Sequence, residues 1–327
     1  MRVLVTGGAG YIGSVTVAQL RDRGHDVVIV DDLRSGHAEL VPGGIELIDA
    51  DVAEPDSYRD ALDGVEACVH FAASIEAGES MQRPEAFFAN NTAGTLRLLD
   101  ALVDAGVGRF VLSSTAAVYG EPERVPIDED DATRPTNAYG ESKLLIERAL
   151  AWLAQLRAMR CVALRYFNAS GATDERGEDH DPETHLIPLI LQVAAGRRDH
   201  IKIFGTDYPT PDGTCVRDYI HVADLADAHV RAVEQADEPG LLICNLGNGD
   251  GFSVRQVIDV AREVTGHPIP AVEAPRRDGD PATLVASSAR ARDRLGWKPQ
   301  HAGLHEIVAS AWAWHSRRWQ VPDRDGR

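Results

Sequence analysis

The chain has 327 residues, 44% hydrophobic and 26% charged, with 33 Lys plus Arg against 51 Asp plus Glu and a formal net charge of −18. These fractions exclude a disordered chain, a collagen and a small disulfide scaffold, and at about 150 residues per domain the length allows two domains. The negative field repels nucleic acid and anionic membrane, so neither is an expected partner.

Short Val/Ile/Leu runs at 2–6, 26–31, 45–49, 66–71, 109–113 and 160–167 predict strands. Amphipathic stretches near 11–23, 56–63, 84–106 and 137–158 predict the helices between them. The runs lack polar alternation, so both faces of each strand should be buried. This alternation predicts an α/β fold, a Rossmann-type doubly wound parallel sheet with helices on both sides.

After Asn168 the texture changes. Residues 169–183 are rich in Gly, Asp and Glu, and 205–215 in Pro, Gly and Thr; both predict loops. Helices are predicted near 184–196, 222–236, 253–265 and 304–319, and strands at 201–204 and 241–245. The reading is a dinucleotide-type domain over 1–168, whose sheet also receives segments from about 216–247, and a smaller α/β substrate lobe over 169–327. Residues 322–327 are expected to fray.

Cys68, Cys161, Cys215 and Cys244 are too far apart for a CxxC pair. They read as buried small hydrophobes in a reducing cytoplasm. No uncharged apolar run reaches the roughly 18 residues of a membrane span. The first residues read as a strand entering a glycine turn, not as a signal peptide, and a cytoplasmic location is expected.

The glycine turn is Gly7-Gly8-Ala9-Gly10-Tyr11-Ile12-Gly13, between a predicted strand and a predicted helix. Glycines there allow a tight turn and a close backbone approach to a pyrophosphate, which the helix N-terminus attracts. Asp31 closes the next predicted strand. An acid at that point bonds ribose hydroxyls and repels a 2′-phosphate, favouring NAD over NADP; Arg34 nearby pulls the other way.

Tyr139 and Lys143 form a YxxxK pair, and only three lysines occur in the chain. Helical spacing of four puts both on one face. A phenol with a pKa near ~10 is a poor base until a neighbouring cation favours the phenolate. Thr115 ends the strand-like 109–113 region within Ser113-Ser114-Thr115-Ala116-Ala117. Ligands of open parallel sheets bind beyond the strand carboxyl ends, so its hydroxyl is placed to pass a proton towards Tyr139.

Other features read as structural. His70 is expected to be a satisfied core or near-site residue. His180 and His185, with Asp181 and Glu183, match no metal motif, and no metal is expected. Trp312, Trp314 and Trp319 read as packing. The run Asp128-Glu129-Asp130-Asp131 reads as a solvated loop or helix-entry cap.

These residues resemble the extended short-chain dehydrogenase/reductase superfamily and, within it, the nucleotide-sugar 4-epimerases that act on UDP-glucose and UDP-galactose. The resemblance covers about residues 1–316. Its superfamily marks are the glycine turn, Val69-His70-Phe71-Ala72, the Thr115 segment, the Tyr139–Lys143 pair and Arg165-Tyr166-Phe167-Asn168. Its epimerase marks are Phe204-Gly205-Thr206-Asp207-Tyr208, Val216-Arg217-Asp218-Tyr219, Asn245-Leu246-Gly247 and Arg276-Arg277-Asp278-Gly279-Asp280.

The resemblance implies a tightly held NAD, reused each turnover, and epimerisation through a transient 4-keto sugar and bound NADH. It assigns catalysis to Thr115, Tyr139 and Lys143. It assigns the cofactor to Gly7, Gly10, Tyr11, Ile12, Gly13, Asp31, Asp32, Asp51, Val52, Phe71, Ala72, Ala73, Asn91, Ser113, Tyr139, Lys143, Tyr166 and Phe167. The UDP-sugar falls to Thr115, Tyr139, Asn168, His185, Leu186, Phe204, Arg217, Tyr219, Arg277, Asp280 and Leu284. A homodimer is implied, through helices near 84–106 and 137–158.

Departures from the family pattern are specific. A lysine frequent after the Phe-Ala-Ala segment is absent at Ser74, Ile75 and Glu76. Threonine replaces a frequent serine at Thr115, and His185 replaces a frequent asparagine. Leu284 holds the position whose bulk bears on a 2-acetamido group. Two alternatives therefore stay open: a 4-epimerase of another UDP sugar (N-acetylhexosamine, uronic acid or pentose), and a non-catalytic NAD-binding scaffold or sensor. A 4,6-dehydratase needs an acid–base pair directly after Thr115, where Ala116 and Ala117 stand.

Overall fold

The computed structural model describes residues 1–235, 238–277 and 280–321. The fraying expected at 322–327, and Asp278 and Gly279 of the 276–280 segment, lie outside the described residues. The first half runs β1 (Arg2–Thr6), α1 (Tyr11–Asp22), β2 (Asp26–Asp31), β3 (Glu46–Asp49), β4 (Ala67–His70), α2 (Ala77–Ser80), α3 (Pro84–Phe87), α4 (Gly94–Asp104), β5 (Arg109–Thr115), α5 (Ala138–Arg157) and β6 (Arg160–Tyr166). The second half runs β7 (Asn168–Ser170), α6 (Leu186–Ala194), β8 (Ile201–Phe204), β9 (Val216–His221), α7 (Val222–Gln235), β10 (Gly240–Leu246), β11 (Gly251–Ser253), α8 (Val254–Thr265), β12 (Ala271–Ala274), β13 (Thr283–Leu284), α9 (Ala289–Leu295) and α10 (Leu304–Arg318).

Seven strands form one sheet in the order β10-β6-β5-β4-β1-β2-β3, and every pairing is parallel. Because side chains alternate along a strand, Val3 and Val5 of β1 join a core with α1, α7 and α9, while Leu4 joins the opposite core with α4 and α5. Strands buried on both faces need the continuous apolar runs seen in the sequence. The order reverses between β1 and β4, the point where such sheets open a crevice for ligands.

The second lobe has its own core from α6, β8, α8 and α10. Of the segments at 216–247, β10 enters the large sheet, and α7 covers it. β9 instead centres a small sheet, pairing with β7, β11 and β13.

Three expectations need correction. The predicted helix at 56–63 is two short 3₁₀ turns, Pro55–Ser57 and Arg59–Leu62. The predicted helix at 84–106 is interrupted by a π turn, Phe88–Ala93, where Asn91 turns its amide to neighbouring segments. The acidic run is not simply solvated: buried Glu129 accepts from the Asn245 N–H at 2.7 Å, and Arg290 pairs with Asp130 at 2.8 Å.

The four cysteines are free and buried. Trp314 is buried, and Trp312 and Trp319 pack partly buried on the second-lobe core. No helix among the described residues is long and apolar enough to cross a membrane.

Candidate active site

The glycine turn joins β1 to α1 beside the sheet's switch point. Gly7 has φ 72°, and a Cβ there would lie 2.6 Å from the Ala72 backbone nitrogen, so a side chain is excluded by conformation and by space. Gly13 packs directly over the Gly7 carbonyl, whereas Gly10 has only that oxygen within 4 Å of an added Cβ. Gly10 caps α1 with no side-chain hydrogen bond. The first-turn N–H groups, including those of Tyr11, Ile12 and Gly13, are therefore donors at a positive helix end, a cradle for pyrophosphate. The Tyr11 side chain turns elsewhere, its hydroxyl donating to the Gly171 carbonyl at 2.6 Å and tying the turn to the second lobe.

Asp31 stands at the end of β2. Its carboxylate accepts from Ala9 N–H at 2.9 Å and Leu33 N–H at 3.0 Å, and burial raises its pKa. Arg34 is engaged by Asp32 and lies 3.7 Å from Asp51. The cation that would welcome a 2′-phosphate is thus neutralised among three acids, which fits NAD rather than NADP. Val52 packs on the adjacent core.

Phe71 and Ala72 follow β4, both N–H groups donating to the Thr6 carbonyl at 2.9 and 3.2 Å; Ala73 continues this segment. Asn91 fastens it. Its amide donates to the Ser74 carbonyl and the Ser142 hydroxyl, each at 3.0 Å, and its oxygen accepts from Ser74 N–H at 2.8 Å. With those groups engaged, Asn91, expected to touch the cofactor, instead holds the 71–74 backbone.

The residues expected to react, Thr115, Tyr139 and Lys143, meet where β5 ends and α5 begins. Asn137 caps α5, accepting from Gly140 N–H at 2.8 Å. A Cβ at Gly140 would lie 2.6 Å from the Ala117 carbonyl, so glycine lets α5 press against the turn after Thr115. The Thr115 hydroxyl, which accepts from Ala117 N–H at 3.1 Å, lies beside the half-buried Tyr139 phenol. Burial pushes that phenol up to about 12; the Thr115 hydroxyl works against the shift, and the charge of Glu76 adds to it.

One turn on, buried Lys143 donates to the Ser113 carbonyl at 2.9 Å, and burial lowers its pKa to about 8. The Ser113 hydroxyl meets the Tyr166 hydroxyl at 2.5 Å. Phe167 and Leu284 pack on one cluster with Val118, Tyr119, Ile127 and Leu144.

The small sheet brings together several residues expected to bind the substrate. Asn168 on β7 pairs with Tyr219 on β9, and Leu284 on β13 pairs with Arg217. The Asn168 amide donates to the Asp218 carbonyl at 3.0 Å. Arg217 is ion-paired with Asp280. The Arg277 guanidinium lies 4.1 Å over the Phe204 ring, while Arg276 lies 4.1 Å over Tyr208 and bonds Asp207 at 2.7 Å.

His185 caps α6, which Leu186 begins. The donor atoms of Glu178, His180, Glu183 and His185 lie within 4.8 Å of one another. His185 Nδ1 is 2.7 Å from Glu178 and 3.0 Å from Glu183, and His180 is 3.2 Å from Glu178. Glu178 raises His185 to about 10, against its burial, and the two histidines lower Glu178 to about 2, also against burial. Each histidine of the group thus has a carboxylate within ion-pair distance.

His70 is fully buried, its ring nitrogens bonded to the Thr6 hydroxyl at 2.6 Å and the Thr95 hydroxyl at 2.7 Å. Sequence reasoning missed a buried network behind the catalytic helix, built on Glu147 and Arg165. Its one visible signal was Glu147, four residues beyond Lys143.

The family model described as NAD dependent epimerase/dehydratase family matches residues 3–247. The UDP-glucose 4-epimerase of Corynebacterium glutamicum is 52% identical over 316 residues, 97% of this chain and 96% of that one. A crystal structure of UDP-glucose 4-epimerase from Brucella ovis in complex with NAD superposes with TM-score 0.93 at 43% identity, covering 99% of each chain. That of UDP-glucose 4-epimerase from Bifidobacterium longum in complex with NAD+ and UDP gives TM-score 0.92 at 36% identity over 100% of each chain.

Proposed function

The chain belongs to the NAD dependent epimerase/dehydratase family, and we propose that it catalyses the NAD-dependent 4-epimerisation of a UDP-hexose, UDP-glucose to UDP-galactose and back. The observation that carries this is Thr115 beside Tyr139, with Ala116 and Ala117 following Thr115, in a chain 52% identical over 97% of its length to a UDP-glucose 4-epimerase. Two alanines cannot move protons, so the site supports oxidation and reduction at one carbon without expulsion of water.

The glycine turn, the α1 N-terminus and Asp31 would hold NAD, with Asp32, Asp51, Val52 and the 71–73 segment completing its pocket. Bound NAD supplies the reversible acceptor of two electrons at the sugar C4. Tyr139 takes the proton of the 4-hydroxyl through Thr115 and later returns it. Lys143, as an ammonium one turn away, favours the phenolate and so opposes the effect of burial. Arg217 and Arg277 give the diphosphate local positive charge inside a chain of net charge −18. Asn168, His185, Leu186, Phe204, Tyr219 and Asp280 would line the nucleotide pocket, and Leu284 would bound the sugar.

We assign the protein to the cytoplasm, on its four free buried thiols. A homodimer is proposed through α4 and α5, because Leu96, Trp152 and Leu156 are 45%, 63% and 68% exposed there.

The deciding experiment incubates the purified protein with UDP-galactose, without added NAD, and measures UDP-glucose by chromatography. UDP-N-acetylgalactosamine and UDP-glucuronate run in parallel. Turnover of UDP-galactose supports the reaction and a retained cofactor. Turnover in another lane alone would keep the mechanism and change the sugar. Silence in all lanes, with NAD added, would point to a scaffold.

A further inference from the structure

We propose that Glu147 is a positioning residue for this epimerisation: its buried carboxylate, clamped by Arg165 and Ser114 one turn beyond Lys143, sustains the ammonium charge on which Tyr139 depends. The inference rests on the epimerase reading given above.

Tyr139, Lys143 and Glu147 are spaced by four on α5 and so share one face. Lys143 and Glu147 are buried, and Tyr139 is half-buried. The Glu147 carboxylate accepts from the Ser114 hydroxyl at 2.6 Å, Arg165 Nε at 3.0 Å and Arg165 Nη2 at 2.5 Å. Arg165 Nη1 donates to the Tyr119 hydroxyl at 2.8 Å, which donates to Asn245 Oδ1 at 2.7 Å. The network thus ties α5 to β5, β6 and β10. Neighbouring residues of β5 serve the two charges separately, the Ser113 carbonyl taking Lys143 and the Ser114 hydroxyl taking Glu147.

A buried ion pair is a poor source of stability, since desolvation offsets its Coulomb gain. Its placement matters more here. The ionisable groups that act on or feel Lys143 are His70 from β4 and Glu147 from α5, with Arg165 from β6 behind Glu147; Tyr139 shares its helix face by spacing. His70 stays neutral, because burial and Lys143 hold its pKa near 3. Glu147 is the negative charge that raises the pKa of Lys143 against burial. Without it, the lysine would lose its proton nearer neutrality, and the phenol of Tyr139 would lose its cationic neighbour.

The test is the pH profile of kcat/KM for UDP-galactose in the holoenzyme, for the parent, Glu147→Gln, and the double variant Glu147→Leu with Arg165→Met. The amide keeps shape and hydrogen-bonding capacity but removes the charge; the apolar pair removes both charges. Thermal midpoints are recorded alongside. The alkaline limb is expected to move to lower pH by about 1–3 units in both variants, even where the apolar pair restores the thermal midpoint. Loss of activity that tracks the midpoint, with the limb unmoved, would overturn the proposal and leave Glu147 a structural residue. Should Glu147→Gln fail to fold, the double variant alone decides by the same limb. A parent inactive on every UDP sugar would instead overturn the epimerase reading on which the proposal stands.

Discussion

Arg217 on β9 is ion-paired with Asp280, which stands just before β13, the strand paired with β9 at Arg217. Both are assigned to the UDP pocket, so the cation meant for the diphosphate already has an anion beside it. Binding then exchanges a carboxylate partner for phosphate oxygens.

Arg217→Ala is expected to weaken UDP binding by about 2–4 kcal/mol, because a desolvated diphosphate loses its charge-assisted bonds. Isothermal titration with UDP measures this. An unchanged dissociation constant would place Arg217 outside the pocket.

Tyr139→Phe should keep the fold and the bound NAD yet lower turnover by about 10²–10⁴-fold, since phenylalanine has no proton to exchange. Thr115→Val should lower it too, because it removes the hydroxyl that counters the upward shift of the phenol. Near-normal epimerisation by the phenylalanine variant would remove Tyr139 as the base.

Dialysis against a chelator is expected to leave turnover and thermal midpoint unchanged. Glu178, His180, Glu183 and His185 already satisfy one another as ion pairs. Activity lost on chelation and regained with a divalent ion would show instead that this cluster is a metal site.

Acid should destabilise the protein through His70. Burial lowers its pKa from 6.5 to about 3 in the folded state. The unfolded chain binds a proton there as pH falls below 6.5, and the folded chain does not until about 3. Its contribution to stability is therefore complete above 6.5 and is lost as pH falls through that window. In His70→Asn the pH slope of the unfolding free energy should be shallower by up to about 1.4 kcal/mol per unit. Urea titrations across the window measure it, and equal slopes would refute it.

Replacing Trp152 or Leu156 with glutamate should shift the protein towards monomer in light scattering after size-exclusion chromatography. Both are apolar and exposed on α5, and a buried charge without a partner would be costly in a dimer interface. A monomeric parent would remove the basis for the dimer.

The large sheet was legible because its inner strands carry apolar runs buried on both faces, as in 26–31 and 160–166; the edge strand β3, also expected to be buried, instead leaves Glu46 and Asp49 exposed. The glycine turn and the Tyr139–Lys143 pair were legible because their spacing is set by local backbone geometry. The small sheet was not. Asn168-Ala169-Ser170 and Thr283-Leu284 are too short for any period to show, and their pairing with β9 depends on segments far away in sequence. α9 hid behind its arginines, since only Ala291 and Leu295 turn inward. The Arg165–Glu147 pair escaped because charged residues read as surface until the fold buries them.

The late return of β10 to the large sheet bears on how the protein is made. On the ribosome the chain emerges N-terminus first, so β6 exists for a time as an unpaired sheet edge, apolar on both faces. It stays open until everything between Tyr166 and Gly240 has been synthesised. Such an edge invites pairing with another chain. The large sheet therefore cannot close before β10 has been made, and a chain stalled or truncated ahead of it would present an open β6 edge to the cell.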